Sequence, residues 1–314
     1  MASKLRDPRV GSSVKSKQNK ASLLPHAKPK PEQRGREHNK PMKLMRRLLV
    51  LAGCSAIALL AATETTVSQN PGGILKIYHR DSPASMSIHE EGTISTVAPM
   101  MGVFNNLVMY DQQVVQNSLQ SIVPDLATEW SWTEDNTRLT FRLRDGVRWH
   151  DGHAFTAADI KCTWDTLLDK SSDKFRVNPR KSWYWNVEQI LTNGPLEATF
   201  VLKRPQPALI ALLASGLSPI YPCHVTPREM RQHPIGTGPF KFVEFRPNEL
   251  IRISKNPDYW RQGRPYLDGI EYTIIPNPST ALLAFSSGKF DVTWPYGISV
   301  PLLKEVNNQA PCEV

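Results

Sequence analysis

The segment His150-Asp151-Gly152-His153 has the residue types for metal chemistry, because it holds two imidazoles and a carboxylate. Such side chains bind zinc when the fold brings their ligand atoms together, and a pair of histidines does so best on one face of a helix. Here the Asp-Gly pair is typical of a tight turn. We therefore predict that turn formation accounts for this segment and that it holds no metal.

Asp258 and Asp291 are candidates for the paired carboxylates of a hydrolase. Asn256-Pro257-Asp258, however, is typical of a turn, and Asp291 is expected at the edge of a strand. The sequence also contains no GxSxG, P-loop or GxGxxG motif. It therefore favours a protein that is not an enzyme and uses no cofactor, and a secreted α/β hydrolase is kept as the alternative.

Residues 124–165 carry the most consistent local pattern in the chain. Leu139, Phe141 and Leu143 alternate with polar residues, which predicts a strand with one buried face. The Asp145-Gly146 turn is then expected to lead into a second strand over 147–150. Thr156 is a predicted N-cap, followed by a helix whose apolar stripe comprises Ile160, Trp164, Leu167 and Leu168.

Strand and helix patterns alternate through the rest of the chain, which predicts the α/β class. Strands are expected over residues 74–78, 198–202, 240–245, 250–254, 270–275 and 290–292. Helices are expected over residues 96–108, 208–214 and 279–287. The glycine-rich segment 235–240 is predicted to cross between elements.

The basic charge of the chain is concentrated at one end. Of the formal net charge of +9, residues 1–47 contribute +11, so the remainder is slightly acidic. A basic globular surface for nucleic acid is therefore not indicated. Residues 1–41 contain few large apolar residues and are predicted to be disordered.

Residues 42–62 have the features of a secretory signal peptide, namely basic residues followed by an apolar run over 48–62. That run is shorter than the roughly 20 residues needed to span a bilayer. Leu51-Ala52-Gly53-Cys54 is similar to a bacterial lipobox, so lipidation of Cys54 and cleavage near Ala61 or Ala62 are both open. Either route predicts an exported, periplasmic protein, and a lipid on Cys54 would anchor it to the membrane.

The cysteines beyond Cys54 are Cys162, Cys223 and Cys312, and no CxxC pair occurs among them. A zinc site therefore does not follow from their spacing. In an oxidising compartment a disulfide between Cys162 and Cys223 is open, since one lies on the predicted helix and the other in a loop.

Three short motifs follow the stretch 124–165 along the chain: Gly236-Thr237-Gly238-Pro239-Phe240, Lys255-Asn256-Pro257-Asp258-Tyr259-Trp260 and Ser287-Gly288-Lys289-Phe290-Asp291. Together with that stretch they resemble, in the same order, motifs of the extracytoplasmic solute-binding proteins of family 5, the peptide and nickel receptors of ABC importers. The resemblance extends from about residue 72 to residue 314.

This resemblance implies a bilobed clamshell of the type II periplasmic binding protein class. Residues 72–118 and 235–314 would form the first lobe, and residues 119–234 an inserted small domain. Because family members usually run to about 500 residues, the second lobe is expected to be largely missing. The implied function is a monomeric receptor that delivers peptides or a related small solute to a membrane permease and its ATPase.

Two groups of side chains are predicted to meet a ligand in the cleft of such a receptor. Glu90 and Glu91 would pair with a ligand's ammonium group, unless they lie in a solvated loop. Trp183, Tyr184 and Trp185 would stack on ligand, or would instead pack the small domain.

Overall fold

The computed structural model describes residues 71–292 and 299–309, which belong to one compact unit within residues 68–314. The predicted disordered extension 1–41, the signal peptide 42–62 and Cys54 lie outside the described residues. The strands are β1 (Ile74–His79), β2 (Val108–Tyr110), β3 (Ile122–Pro124), β4 (Ala127–Trp132), β5 (Arg138–Leu143), β6 (Val187–Thr192), β7 (Glu197–Leu202), β8 (Phe240–Arg246), β9 (Leu250–Lys255) and β10 (Gly269–Ile274). The α-helices are α1 (Ile94–Met100), α2 (Ala157–Leu167), α3 (Leu209–Leu213), α4 (Pro227–Met230), α5 (Pro278–Ser286) and α6 (Val300–Gln309).

The strands of the described residues form two four-stranded sheets and one two-stranded ribbon. The first sheet has the order β1-β10-β9-β8, in which β1 runs parallel to β10 and the other pairs are antiparallel. The second sheet, β4-β5-β7-β6, is antiparallel throughout, and β2 pairs with β3 in the ribbon. These sheets confirm the predicted mixed α/β class, and most predicted strands are confirmed within two residues.

β5 and α2 form for the local reasons that their sequence indicates. Leu139 and Phe141 are completely buried, while the alternate positions are more accessible. At the start of α2, the Thr156 backbone N–H donates to Asp159 Oδ2 at 2.8 Å, which satisfies an amide that the helix cannot. Ile160 and Trp164 then bury their side chains completely against the second sheet.

The predicted second strand over 147–150 is wrong. The segment forms only an isolated bridge between Arg148 and Ala154, and β5 pairs instead with β4 and β7. The chain folds back at Asp151-Gly152, where Trp149 N–H donates to His153 O at 2.8 Å and Gly152 has a φ of +92°. This turn ends the extended conformation before a ladder can form.

The helix predicted over 96–108 is also wrong in extent, because α1 ends at Met100 and β2 begins at Val108. The carbonyls of Gly102 and Val103 accept hydrogen bonds from Phe240 N–H at 3.0 Å and Gly238 N–H at 2.9 Å. A continued helix would use these carbonyls internally, so a contact distant in sequence ends the helix. The strand expected over 290–292 amounts to a single bridge between Ile77 and Val292.

One apolar core spans both sheets. Its completely buried members include Met86, Val103, Phe141, Trp164 and Phe200. The first sheet combines strands from both ends of the described chain, and the second lies between them in sequence. The proposed domain boundaries at residues 118 and 234 remain a prediction. Within the described residues, no helix has the length and apolar character to cross a membrane.

Candidate functional site

An open cavity of about 710 Å³ lies beside the ribbon of β2 and β3. Most of its lining comes from the loop that follows α1, the ribbon with its connecting loop, the chain that follows α3, and the loop between β9 and β10, and Ile88, Pro239 and Phe240 complete it. The polar or charged side chains on its wall are Asn105, Asn106, Asp111, Gln112, Gln113, Asp125, Tyr259, Arg261, Arg264 and Tyr266. The cavity therefore combines acidic, basic and amide groups around an apolar floor.

Asn105 is the centre of a hydrogen-bond network on the cavity wall. Its side-chain nitrogen donates to Asp125 Oδ1 at 3.0 Å and to the Tyr259 hydroxyl at 3.3 Å. Its side-chain oxygen accepts from the Thr237 hydroxyl at 3.1 Å and from the Trp260 indole N–H at 3.3 Å. One amide thus joins segments from three of the four motifs that resemble the receptor family.

Asp125 is a buried carboxylate at the back of the cavity, with 3% of its surface exposed. Burial raises its pKa to about 6, although Arg261, the Asn106 backbone N–H and the Asn105 amide all favour the charged form. Arg261 lies 3.3 Å from Asp125 Oδ1 and Asn106 N–H lies 3.0 Å from Oδ2. Because these donors already occupy the carboxylate, Asp125 orients Arg261 and Asn105.

Arginine side chains stack on aromatic rings at the cavity wall and beside it, where Trp260 and Arg144 lie outside the lining. Arg261 lies over the Trp260 ring at 4.8 Å, and Arg144 lies over the same ring at 4.4 Å. Arg264 lies over the Tyr266 ring at 4.0 Å and is exposed. Stacking holds each guanidinium plane while its N–H groups remain able to meet an anion.

The floor of the cavity is apolar and includes Ile88, Phe104 and Phe240, all of which are buried. Met101, by contrast, exposes 49% of its surface at the opening. A solute in this space would therefore meet apolar surface below and hydrogen-bonding groups at the sides, as in many small-molecule sites.

Comparison with known protein families identifies the family of this chain. The model described as bacterial extracellular solute-binding proteins, family 5 Middle, matches residues 121–310, which is more than half of the chain. The chain belongs to family 5 of the bacterial extracellular solute-binding proteins. The match confirms the family inferred from the motifs.

Individual relatives agree with this family. The chain is 32% identical over 202 residues to a Brucella ovis protein provisionally named an ABC transporter peptide-binding protein, a match that covers 61% of this chain and 36% of that one. It is 31% identical over 180 residues to di/tripeptide-binding protein 2 of Pseudomonas aeruginosa, covering 51% of this chain and 34% of the relative. The matched region thus spans about a third of these family 5 relatives.

The fold of this family 5 chain is shared with solved structures. DppA, an ABC transporter-associated periplasmic binding protein of Helicobacter pylori solved with the peptide STSA, matches with a TM-score of 0.67 and 24% identity. The match covers 78% of this chain and 50% of DppA. It confirms the periplasmic binding protein-like fold.

Glu90 and Glu91 do not line the cavity of this family 5 protein. Glu90 is buried, and its Oε1 accepts from Arg231 at 2.8 Å and from the Arg176 backbone N–H. Its Oε2 has no hydrogen-bond partner among the described residues. Glu91 is half-buried and pairs with Arg176 at 3.3 Å. Both carboxylates are thus engaged with internal cations, and a contact with ligand stays a prediction.

Trp183, Tyr184 and Trp185 also lie away from the cavity lining. Tyr184 is completely buried, donates to or accepts from the Ser218 hydroxyl at 2.7 Å, and packs edge-on against Trp164. Trp183 and Trp185 are exposed. Tyr184 therefore has the geometry of a packing residue, and ligand contact by the two tryptophans stays a prediction.

Cys162, Cys223 and the histidines of the HxxH segment are the next sequence candidates. The structure joins Cys162 and Cys223 as a disulfide, with α-carbons 5.6 Å apart. His150 points inward, where Gly236 N–H donates to Nδ1 at 3.2 Å and Nε2 lies 3.0 Å from Gly238 O. Its ring is therefore turned away from His153, and the HxxH pair does not act as one ligand set.

The sequence offered a partial signal for the cavity. Asp125 and Tyr259 stand within motifs that resemble the family, but no local pattern assigns them to a cavity. Asn105 and Arg261 have no sequence signal of this kind. Only the fold brings Asn105 within hydrogen-bond distance of Tyr259, 154 residues later.

Proposed function

We propose that this protein is the substrate-binding component of an ABC importer, which captures a peptide or a related small solute and delivers it to a membrane permease. The family assignment and the names of the peptide-binding relatives support this function. The observation that carries it is the cavity of about 710 Å³ with Arg261 and Arg264 at its side. Its volume lies within the usual range for a small ligand, about 300–1,000 Å³.

The chemistry of the wall suits a peptide. A guanidinium forms short, charge-assisted hydrogen bonds with a carboxylate, and Arg264 is exposed to receive one. Gln112 and Gln113 provide amides that pair with peptide N–H and C=O groups. The apolar floor accepts side chains. Such a site holds its ligand without making or breaking a bond, whereas the comparisons give no support to the alternative of a secreted hydrolase.

The importer function implies further partners and a location. The loaded receptor would dock on a permease that works with an ATPase, as a periplasmic and monomeric protein. A lipid on Cys54, if present, would add a membrane anchor to this arrangement. No nucleic acid takes part in the proposed cycle.

A binding experiment on the full-length chain tests the proposal. Dipeptides, tripeptides and longer peptides are titrated into the purified protein by calorimetry, and bound material is identified by mass spectrometry. We expect at least one peptide to bind, and we expect it to be recovered intact. Cleavage of the bound peptide would instead favour the hydrolase, and the absence of binding by any peptide or co-purified solute would contradict the proposal.

The variant Arg264→Gln tests whether the cavity is the ligand-binding site. Within the part of the chain that the structure describes, the Arg264 side chain packs against the Tyr266 ring and makes no ion pair, so its replacement should leave the fold intact. Loss of a charge-assisted hydrogen bond is worth about 1.5–3 kcal/mol, or roughly 10-fold or more in Kd. Arg138→Gln, an exposed arginine outside the cavity lining, is the matched control and should bind as the wild type does.

A further inference from the structure

A cluster of three side chains lies on the surface at the Asp151-Gly152 turn, between β5 and α2, and comprises Asp151, His153 and His224. Asp151 Oδ2 lies 2.6 Å from His224 Nε2 and 3.2 Å from His153 Nδ1. The two imidazole rings are 4.2 Å apart between centroids and tilted by 35°. One ligand atom from each of the three side chains lies within 4.8 Å of the other two.

We propose that Asp151, His153 and His224 bind one divalent transition-metal ion of the zinc class. Two imidazole nitrogens and one carboxylate oxygen are ligands that zinc, nickel and cobalt accept, whereas magnesium and calcium prefer oxygen alone. Ligands about 2.1 Å from a tetrahedral zinc lie about 3.4 Å apart, so small side-chain rotations bring the three atoms into place. Water completes the fourth position.

The backbone holds the three ligands in place before an ion arrives. The Asp151 Oδ1 atom accepts from the His153 backbone N–H at 3.2 Å, which leaves Oδ2 directed at both rings. On the other side, His224 follows Cys223, whose sulfur is bonded to Cys162 on α2. The Cys223 backbone N–H also donates to Asp159 Oδ1 at 2.9 Å. Little ordering is therefore required on binding.

A simple His–Asp ion pair accounts less completely for this geometry. Such a pair needs one imidazole, but here two rings face the same carboxylate oxygen and each other. One metal ion between the rings would accept a nitrogen lone pair from each of them and an oxygen lone pair from Asp151, whereas a hydrogen bond to a single ring engages only one imidazole.

The metal site is independent of the proposed solute site. None of its three residues lines the cavity. The ion would instead join the turn at Asp151 to the segment held by the disulfide, which are separated by 73 residues along the chain. Its effect would therefore be to stabilise this side of the protein.

Cobalt(II) absorption provides the test, because its visible bands report the geometry and nitrogen ligation of the bound ion. The full-length chain, freed of metal with a chelator, is titrated with Co²⁺ and then with Zn²⁺. We expect one Co²⁺ to bind with tetrahedral-type bands that Zn²⁺ abolishes. Zn²⁺ at about 100-fold above its Kd should raise the melting temperature by about 5 °C or more.

Substitutions of the two histidine ligands test whether the ion binds at this cluster. His153→Gln and His224→Gln should each weaken binding by at least about 10-fold, because even second-shell changes cost this much. His233→Gln, which replaces an exposed histidine outside the cluster, is the control and should bind normally. All variants are melted in chelator first, and His153 is exposed enough that its replacement should not affect folding.

Two results would overturn the proposal. One is an absence of 1:1 Co²⁺ or Zn²⁺ binding by the wild type. The other is unchanged affinity in the folded His153→Gln and His224→Gln variants, which would assign the ion to other residues such as His26 or His38. Peptide binding is expected to persist in both variants, so failure of this proposal is distinguishable from failure of the importer function.

Discussion

The side-chain nitrogen of Asn105 lies 3.0 Å from Oδ1 of Asp125, and both residues are buried at the cavity wall. Asn105→Ala removes a donor from this carboxylate and leaves the Thr237 hydroxyl and the Trp260 N–H without their acceptor. Unpaired buried polar groups are expensive, so we expect the free energy of unfolding to fall by about 3 kcal/mol. Urea unfolding measures this. Asn117→Ala, at an exposed position, should change it by less than about 0.5 kcal/mol.

The raised pKa of Asp125, about 6, predicts a pH-dependent contribution to stability. An acid with a higher pKa in the folded state takes up its proton there first, so this contribution rises as pH falls through 6. When the pH is lowered from about 7.5 to about 5, the free energy of unfolding of the wild type should rise by about 1 kcal/mol relative to that of Asp125→Asn. Urea unfolding of both proteins at the two pH values checks the difference, and parallel curves would contradict the assignment.

Two buried histidines should make the protein sensitive to acid. Burial lowers the pKa of His89 to about 3, with Arg180 adding to the effect, and burial lowers that of His150 to about 4. The unfolded chain takes up protons near pH 6.5 while the folded protein does not, so stability is lost as pH falls below that value. For each of the two histidines, the free energy of unfolding should fall by about 2 kcal/mol when the pH is lowered from about 7.5 to about 5.

His150→Gln tests this sensitivity. Over the same pH change, the free energy of unfolding of the variant should fall by about 2 kcal/mol less than that of the wild type, because one titrating group is gone. The exposed His233 provides the matched control, and His233→Gln should keep the wild-type pH dependence. An unchanged slope in His150→Gln would show that its imidazole is accessible to protons in the folded state.

Gly238 occupies a position where a side chain does not fit. Its N–H donates to Val103 O at 2.9 Å, and a β-carbon there would lie 2.6 Å from the Val103 carbonyl carbon. Because backbone on both sides must shift, Gly238→Ala should cost about 3 kcal/mol or more. Gly92→Ala is the control, since no atom lies within 4 Å of its β-carbon position. Equal melting temperatures for the two variants would contradict the prediction.

The disulfide of Cys162 and Cys223 closes a long loop. With a sequence separation of 61 residues, the loop-entropy model predicts a stabilisation of about 4 kcal/mol. The double variant Cys162→Ser and Cys223→Ser should lose this amount in urea unfolding without reductant. Thiol titration of the denatured wild type provides a second measurement, and recovery of all four cysteines as free thiols would exclude the bond.

The features that the sequence predicted correctly depend on neighbouring residues. Leu139 and Phe141 in β5 follow a two-residue period, and the Thr156–Asp159 cap of α2 involves residues three positions apart. Such patterns and interactions lie within one short segment and do not depend on residues distant in sequence. They can therefore be recognised before the tertiary structure is known.

The incorrect predictions and the missed site depend on distant contacts. The helix over 96–108 has an apolar pattern, but Gly238 and Phe240 take the carbonyls that its continuation needs. Glu90 pairs with Arg231, 141 residues later, and its contact with ligand stays a prediction. No local pattern encodes either pairing.

The parallel pairing of β1 with β10 has a consequence for the order of synthesis. Ile74 lies opposite Gly269 in this ladder, so 195 residues separate the partners. At about 5–20 residues per second, translation needs roughly 10–40 s to reach β10 after β1 has been made. During that interval β1 is a strand without its neighbour and a candidate for pairing with another chain. A holding chaperone that covers residues 74–79 would therefore protect the nascent protein until its first sheet can close.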